Sequence, residues 1–226
     1  MSRPRPVVAI DGPAGAGKST VTRRVAGELG YLLLGTGALY RAVALAAQRD
    51  GTPWDAADAV GALARRLVLS GDLAVARGAG GEQRVLLSGE DVTDELAAEQ
   101  IGQGASRVSA EPEVRAALLE VQRRSGQRGG VVAEGRDVGT VVFPDAEAKF
   151  FLTASTEVRA RRRHRELVER GQPADLASVE REVVERDRRD TERAVSPLRC
   201  ADDAVTIDSS ALTIEEVVAL IVDRVR

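Results

Sequence analysis

Apolar residues fall along this chain in two alternating textures. Short unbroken runs, VVAID (7–11), YLLL (31–34), GVVAEG (130–135), AKFFLTA (148–154) and DAVTID (203–208), predict strands buried within a parallel sheet. Between them the spacing turns helical. Val21, Val25 and Leu29 recur at helical intervals with Gly30 suited to the helix end, GALYRAVALAAQRDG predicts a helix ending near Gly51, and DAADAVGALARRLVL (55–69) predicts another. Residues 71–92 carry two β-like runs around GAGG, the pattern of a hairpin. Helical spacing returns in ELAAEQIGQGASRV and EPEVRAALLEVQRR, and the arginine- and acid-rich stretch 155–194 also reads as helix. Thr213 and Glu216 form a capping box ahead of Val217, Val218 and Ile221. Strand and helix alternate, so the expected class is α/β with a mostly parallel sheet, the 71–92 hairpin and the 155–194 stretch being insertions on it.

Four constellations carry chemistry. Gly12-Pro13-Ala14-Gly15-Ala16-Gly17-Lys18-Ser19 matches G-x-x-x-x-G-K-[ST] in full, with an apolar strand before it and an amphipathic helix after it. Glycines there let backbone N–H groups turn towards phosphate oxygens, and the helix adds its positive N-terminus. Lys18 would reach the β- and γ-phosphates and the Ser19 hydroxyl would ligate Mg²⁺. In LLGTGALYRA (33–42), Thr36 stands at a helix start and Arg41 one turn in; beside the glycine-rich loop this pair makes a second phosphate site, although Arg41 alone reads equally as a solvated helix residue. In VVAEGRDVGTVVFPDA (131–146), Glu134 ends a strand, where a parallel sheet presents its ligands, and Arg136 and Asp137 follow. A buried Arg–Asp pair bracing a loop is the alternative there. In ERDRRDTERAVSP (185–197), Arg186, Asp190 and Arg193 are spaced to share one helix face, as are Arg159 and Arg163 upstream. Most charges in 155–193 fit a solvated helical surface, but arginines on a mobile flap also shield and neutralise a phosphoryl transfer.

Composition narrows the partners. The 226 residues suit one domain with insertions. The single cysteine, Cys200, excludes an internal disulfide and fits a reducing compartment. No apolar run approaches the ~20 residues of a membrane span, and the N-terminus lacks a secretory pattern, so the expected location is the cytoplasm. A net charge of −3 provides no global field for nucleic acid. Lys18 and Lys149 are the only lysines. His164 is the only histidine, so no histidine metal cluster is expected. The chain contains no asparagine, which removes the N-K-x-D guanine motif of GTPase switches. With no strong apolar surface stripe, a monomer is the expectation.

Taken together, IDGPAGAGKST, TGALYRAVA, EGRDVGTVVFPDA and ERDRRDTERAVSPL, in this order and spacing, closely resemble the bacterial cytidylate kinases. The LSGEDVT segment (87–93) is also similar to that family's extra insert, and the resemblance runs from about Val7 to the C-terminus. It implies a P-loop nucleoside-monophosphate-kinase fold with a five-stranded parallel sheet. The implied core spans residues 1–67, 108–157 and 194–226, with a monophosphate-binding insert at about 68–107 and a helical lid at about 158–193. The implied reaction moves the γ-phosphate of ATP to CMP or dCMP with Mg²⁺. By resemblance, Gly12 to Thr20 bind ATP, with Ser19 and Glu134 (directly or through water) at the metal. Arg41, Arg136 and Arg193 hold the acceptor phosphate, Ser106, Arg115 and Asp137 read cytosine, Arg186 with Asp190 holds the sugar, and Thr36 also belongs to the CMP site. Lys18, Arg136, Arg193, Arg159 and Arg163 are the implied catalytic cations. The sequence departs from the family at one position: the residue before Thr36, usually aspartate, is Gly35.

Overall fold

The computed structural model describes residues 3–78, 82–169 and 171–226. In chain order the elements are β1 (Val7–Asp11), α1 (Lys18–Leu29), β2 (Leu32–Gly35), α2 (Thr36–Arg49), α3 (Ala57–Ser70), β3 (Leu73–Arg77), β4 (Gln83–Leu87), β5 (Glu90–Asp91), α4 (Glu99–Val108), α5 (Pro112–Gly126), β6 (Val131–Gly135), β7 (Ala148–Thr153), α6 (Thr156–Glu169), α7 (Leu176–Glu192), β8 (Val205–Asp208) and α8 (Ile214–Val225). Five of the strands form a parallel sheet in the order β2-β6-β1-β7-β8.

Both faces of this sheet are covered, which is why its strands are continuous apolar runs rather than alternating ones. The pleat sends Val8 and Ile10 to one face, where Phe150 and Leu152 join them against Val21 and Val25 of α1 and Val218 and Ile221 of α8. Val7 and Ala9 point the other way, onto Val138, Val142 and Phe143. A third cluster packs α2, α3, α4 and α5 around Leu39, Val43, Leu63 and Leu118, and the β3–β4 hairpin joins it through Leu73 and Val85.

The central strand β1 has β6 on one side and β7 on the other. The chain leaves β1 for β2 beyond β6, and only later builds β7 and β8 on the opposite side. That reversal opens a crevice at the carboxyl ends of the strands, and the segments after β1, β2 and β6 all start there.

Three local expectations change. The hairpin gains a third short strand, β5, antiparallel to β4; of its GAGG turn, residues 79–81 lie outside the described residues. The helix expected over 95–108 is broken: Glu95–Ala97 make one 3₁₀ turn, and Ala98 is extended (φ −60°, ψ 137°) before α4 begins. The 155–194 stretch is two helices, because Gly171 turns left-handed (φ +71°) and Asp175 caps a fresh helix by accepting from Ser178 N–H at 2.9 Å. The two helices share a small core of Leu167, Val179 and Val183.

Candidate active site

The glycine-rich loop follows β1 directly. Gly12 (φ +148°) lies against the Leu152 carbonyl, where any Cβ would collide, and Gly17 (φ +88°) turns the loop into α1. Lys18 is buried, and its Nζ donates to the Pro13 carbonyl at 2.7 Å. Burial pushes its pKa well below the ordinary lysine value, and Arg136 and Arg186 add to that against the opposing pull of Glu134. Ser19 and Thr20 are exposed at the first turn of α1. From the end of β6, Glu134 accepts from Ser19 Oγ at 2.9 Å and from Thr22 Oγ1 at 3.3 Å. One hydroxyl and one carboxylate beside a phosphate cradle fit magnesium, which takes oxygen ligands and keeps most of its waters. Among the described residues no three His, Cys, Asp or Glu side chains gather as a metal site of their own.

Asp11, which no sequence pattern singled out, organises the next loop. Its carboxylate is 4% exposed and accepts from Val138 N–H at 2.8 Å and Gly139 N–H at 2.7 Å. These bonds anchor a single π-type turn, Val138–Val142, directly after Arg136 and Asp137. Burial raises the Asp11 pKa to about 6, against the lowering effect of those two N–H groups.

The residues expected on the acceptor side converge across the same cleft, a cavity of about 1130 Å³. Thr36 Oγ1 donates to the Glu134 carbonyl at 2.8 Å, tying the ends of β2 and β6 together. Arg41 Nη1 donates to the Leu96 carbonyl at 2.6 Å, and its guanidinium lies where a side chain on Gly102 would stand. Arg115 pairs with Asp137, donates to the Ser109 carbonyl at 3.1 Å, and sits 5.4 Å over the Tyr40 ring. Arg193 Nη2 approaches the same carboxylate at 3.6 Å. Arg136 Nε donates to Asp190 at 2.7 Å. Burial raises the Asp190 pKa, but Arg136, Arg186 and Arg193 outweigh it and leave the carboxyl below its usual value. Burial and then Arg136 lower Arg186 to about 10, and burial with Arg115 lowers Arg193. Burial is the larger cause in each case, and neighbouring guanidinium groups add to it. Ser106 Oγ, Arg115 Nε and Arg186 Nε are buried without a hydrogen-bond partner.

Two expectations are corrected. Arg193 does not share a helix face with Arg186 and Asp190: α7 ends at Glu192, and Arg193 (φ −59°, ψ 140°) turns out of it, with Nε donating to the Ser196 carbonyl at 2.6 Å. It meets Asp137 because the helix stops. Arg159 lies beneath the glycine-rich loop rather than on the cleft wall. It pairs with Asp187 at 2.7 Å and donates to the carbonyls of Ala14 (3.2 Å) and Ala154 (2.9 Å) and to Thr156 Oγ1 (3.1 Å). Arg163 does line the cleft, paired with Glu99 of α4 and, at 2.6 Å, with Glu166. Arg162 and Arg165 line it as well; their run of arginines looked like a solvated surface.

The cytidylate kinase family profile matches residues 8–226 of the chain. A cytidylate kinase from Geobacter sp. (strain M21) is 54% identical over 95% of this chain and 90% of its own length. One from Stutzerimonas stutzeri (strain A1501) is 49% identical over 100% of this chain and 97% of its own. Among solved structures, an uncharacterized protein from Eubacterium ventriosum superposes with a TM-score of 0.50 at 11% identity, covering 98% of each chain, a likeness of fold alone. With a profile match across nearly its whole length and relatives at about half identity, the chain belongs to the cytidylate kinase family.

Proposed function

We propose that the cleft transfers the γ-phosphate of ATP in line to CMP or dCMP, with ATP on the Gly12–Thr20 loop and the acceptor between α2, α4 and α7. One observation carries this division: Lys18, Arg41, Arg136, Arg186 and Arg193, from four separate segments, converge on one cleft where Ser106 Oγ and two guanidinium Nε atoms are left without partners. Such a site suits two polyanions and a polar base.

A phosphate monoester has its second pKa near ~6, so CMP arrives with an ionised oxygen at neutral pH and needs no general base. That oxygen attacks the γ-phosphorus as the bond to the ADP oxygen breaks. The protein's contribution is orientation and charge neutralisation. Lys18 and the loop N–H groups hold the donor phosphates, and Arg163 reaches them from the 158–193 lid. Thr36, Arg41, Arg136 and Arg193 hold the acceptor phosphate. Arg186 and Asp190 hold the sugar. Arg159 holds the loop through the Ala14 carbonyl rather than touching phosphate. Ser19 and Glu134 would hold magnesium together with the nucleotide's own oxygens, and the metal, when bound, neutralises charge developing on the β- and γ-phosphates.

Ser106, Arg115 and Asp137 read cytosine. Asp137 keeps lone pairs beyond those facing Arg115 and Arg193, and these accept from the cytosine amino group and repel the uracil carbonyl. A site that pairs a donor rejects an isostere lacking it by up to ~10⁴–10⁵. The β3–β5 hairpin with α4, about residues 68–107, acts as the monophosphate-binding insert. The enzyme acts as a cytoplasmic monomer, which sedimentation would check.

The test is ADP release from ATP with CMP, dCMP, UMP, AMP, GMP or dTMP as acceptor. Turnover is expected with CMP and dCMP and near background without an acceptor. UMP turnover equal to that of CMP overturns the base assignment; rapid hydrolysis without any acceptor overturns the transferase reading in favour of an ATPase switch.

A further inference from the structure

Gln83, the first residue of β4, reaches across from the hairpin to the end of the main sheet. Its Oε1 accepts from Gly35 N–H at 2.6 Å and its Nε2 faces the Gly35 carbonyl at 3.4 Å. β2 is an edge strand of the five-stranded sheet, so its outer backbone groups have no strand to pair with. The primary amide of Gln83 carries one donor and one acceptor side by side, and it meets Gly35 much as a neighbouring strand would.

Nothing in the backbone calls for glycine at this position. Gly35 has φ −82° and ψ 97°, which any residue adopts. A side chain there would instead meet Gln83 Oε1 at 3.2 Å and Glu134 Oε1 at 3.5 Å. The bare Cα thus leaves room for the glutamine. Its location is also specific. Gly35 pairs in register with Glu134 and precedes Thr36, at the seam between the donor and acceptor halves of the cleft. The hairpin beyond Gln83 forms one wall of that cleft, with Gln83, Arg84, Val85, Thr93 and Asp94 lining it.

We infer that Gln83 is a positioning residue: it clips the hairpin to the edge of β2 through Gly35 and so sets the wall against which the acceptor nucleotide binds. The inference rests on the acceptor lying on that side of the cleft, as proposed above. Gln83 touches neither reacting phosphate; it acts through the hairpin.

The test is a double-mutant cycle of Gln83→Ala and Gly35→Ala, read by amide hydrogen exchange without substrate and by steady-state kinetics. Gln83→Ala should speed exchange at Gly35 and in residues 83–87 and raise KM for CMP roughly three- to tenfold, the loss of one good neutral hydrogen bond. KM for ATP should stay within about twofold, since the donor loop is untouched. Gly35→Ala, whose Cβ would press on Oε1 at 3.2 Å and shift the amide by a few tenths of an ångström, should raise KM for CMP by less, and adding it to Gln83→Ala should change KM little further, because the contact has gone. Gln83→Glu, which keeps the acceptor but not the donor, should lie between. Circular dichroism and melting confirm that each variant is folded. Unchanged Gly35 exchange in Gln83→Ala, or fully additive effects, overturns the clip. Faster exchange and coupled melting with KM for CMP unchanged overturns the positioning role, and loss of CMP turnover by the parent enzyme would count against the underlying reading instead.

Discussion

Replacing Asp11 with asparagine takes a buried charge from beneath the Val138–Val142 turn while keeping the side chain's shape. In the folded protein the Asp11 carboxyl is 4% exposed and titrates at about 6, raised from 3.8 mainly by burial. The folded state therefore binds the proton more tightly than the unfolded chain, and between those two values it holds more protons. Stability from this group falls as pH rises through that window and is flat above it. A shift of about two units corresponds to about 3 kcal/mol, of which about 2.5 kcal/mol lies between pH 4 and pH 8. An asparagine in its place would not titrate. Urea unfolding of the parent and Asp11→Asn at both pH values should show the parent losing about 2.5 kcal/mol relative to the variant on going from pH 4 to pH 8. At pH 8 the asparagine offers only one oxygen to the Val138 and Gly139 N–H groups, so the turn behind Arg136 and Asp137 loosens. kcat/KM for CMP should fall about tenfold, the cost of one unmet buried donor. A stability difference that stays within ~0.5 kcal/mol across the range would refute the reading that burial outweighs the two N–H bonds and raises this carboxyl.

Asp137→Asn removes the carboxylate between Arg115 and Arg193, each 5–6% exposed at the side chain, and leaves Asp190 still acting on Arg193. Breaking such a group should cost roughly 3–5 kcal/mol, lowering the melting temperature by about ten degrees, and should erode the preference for CMP over UMP measured as a ratio of kcat/KM. Lys18→Ala should lower kcat by about 10²–10³-fold with little change in CMP affinity measured by calorimetry; near-normal kcat would remove it from the donor phosphates. Thr213→Ala deletes the side-chain acceptor for Glu216 N–H and should lower the melting temperature by about 2–4 °C, close to 1 kcal/mol.

Much of this protein is decided locally, and the sequence alone was enough to read it. VVAID and GVVAEG form buried strands because apolar runs of that length must cover both faces. Gly12 to Ser19 form a phosphate loop because the glycines admit a backbone that other residues resist. The Thr213 capping box spans four residues and forms as its spacing predicts. What the sequence could not supply depends on contacts between distant segments. Asp11 reads as the polar end of a strand until β6 is laid beside β1 and brings Val138 and Gly139 to it, 127 and 128 residues away. Arg159 and Arg163 are one helical turn apart and look alike in sequence, yet one is clasped under the loop and the other faces the cleft. Gln83 carries no signal in the sequence and Gly35 only that of replacing the family's usual aspartate; the two meet only because the hairpin folds back onto the edge of β2. Helical periodicity and turn chemistry act over a few residues, whereas the value of a charge or an amide depends on what the completed fold sets against it.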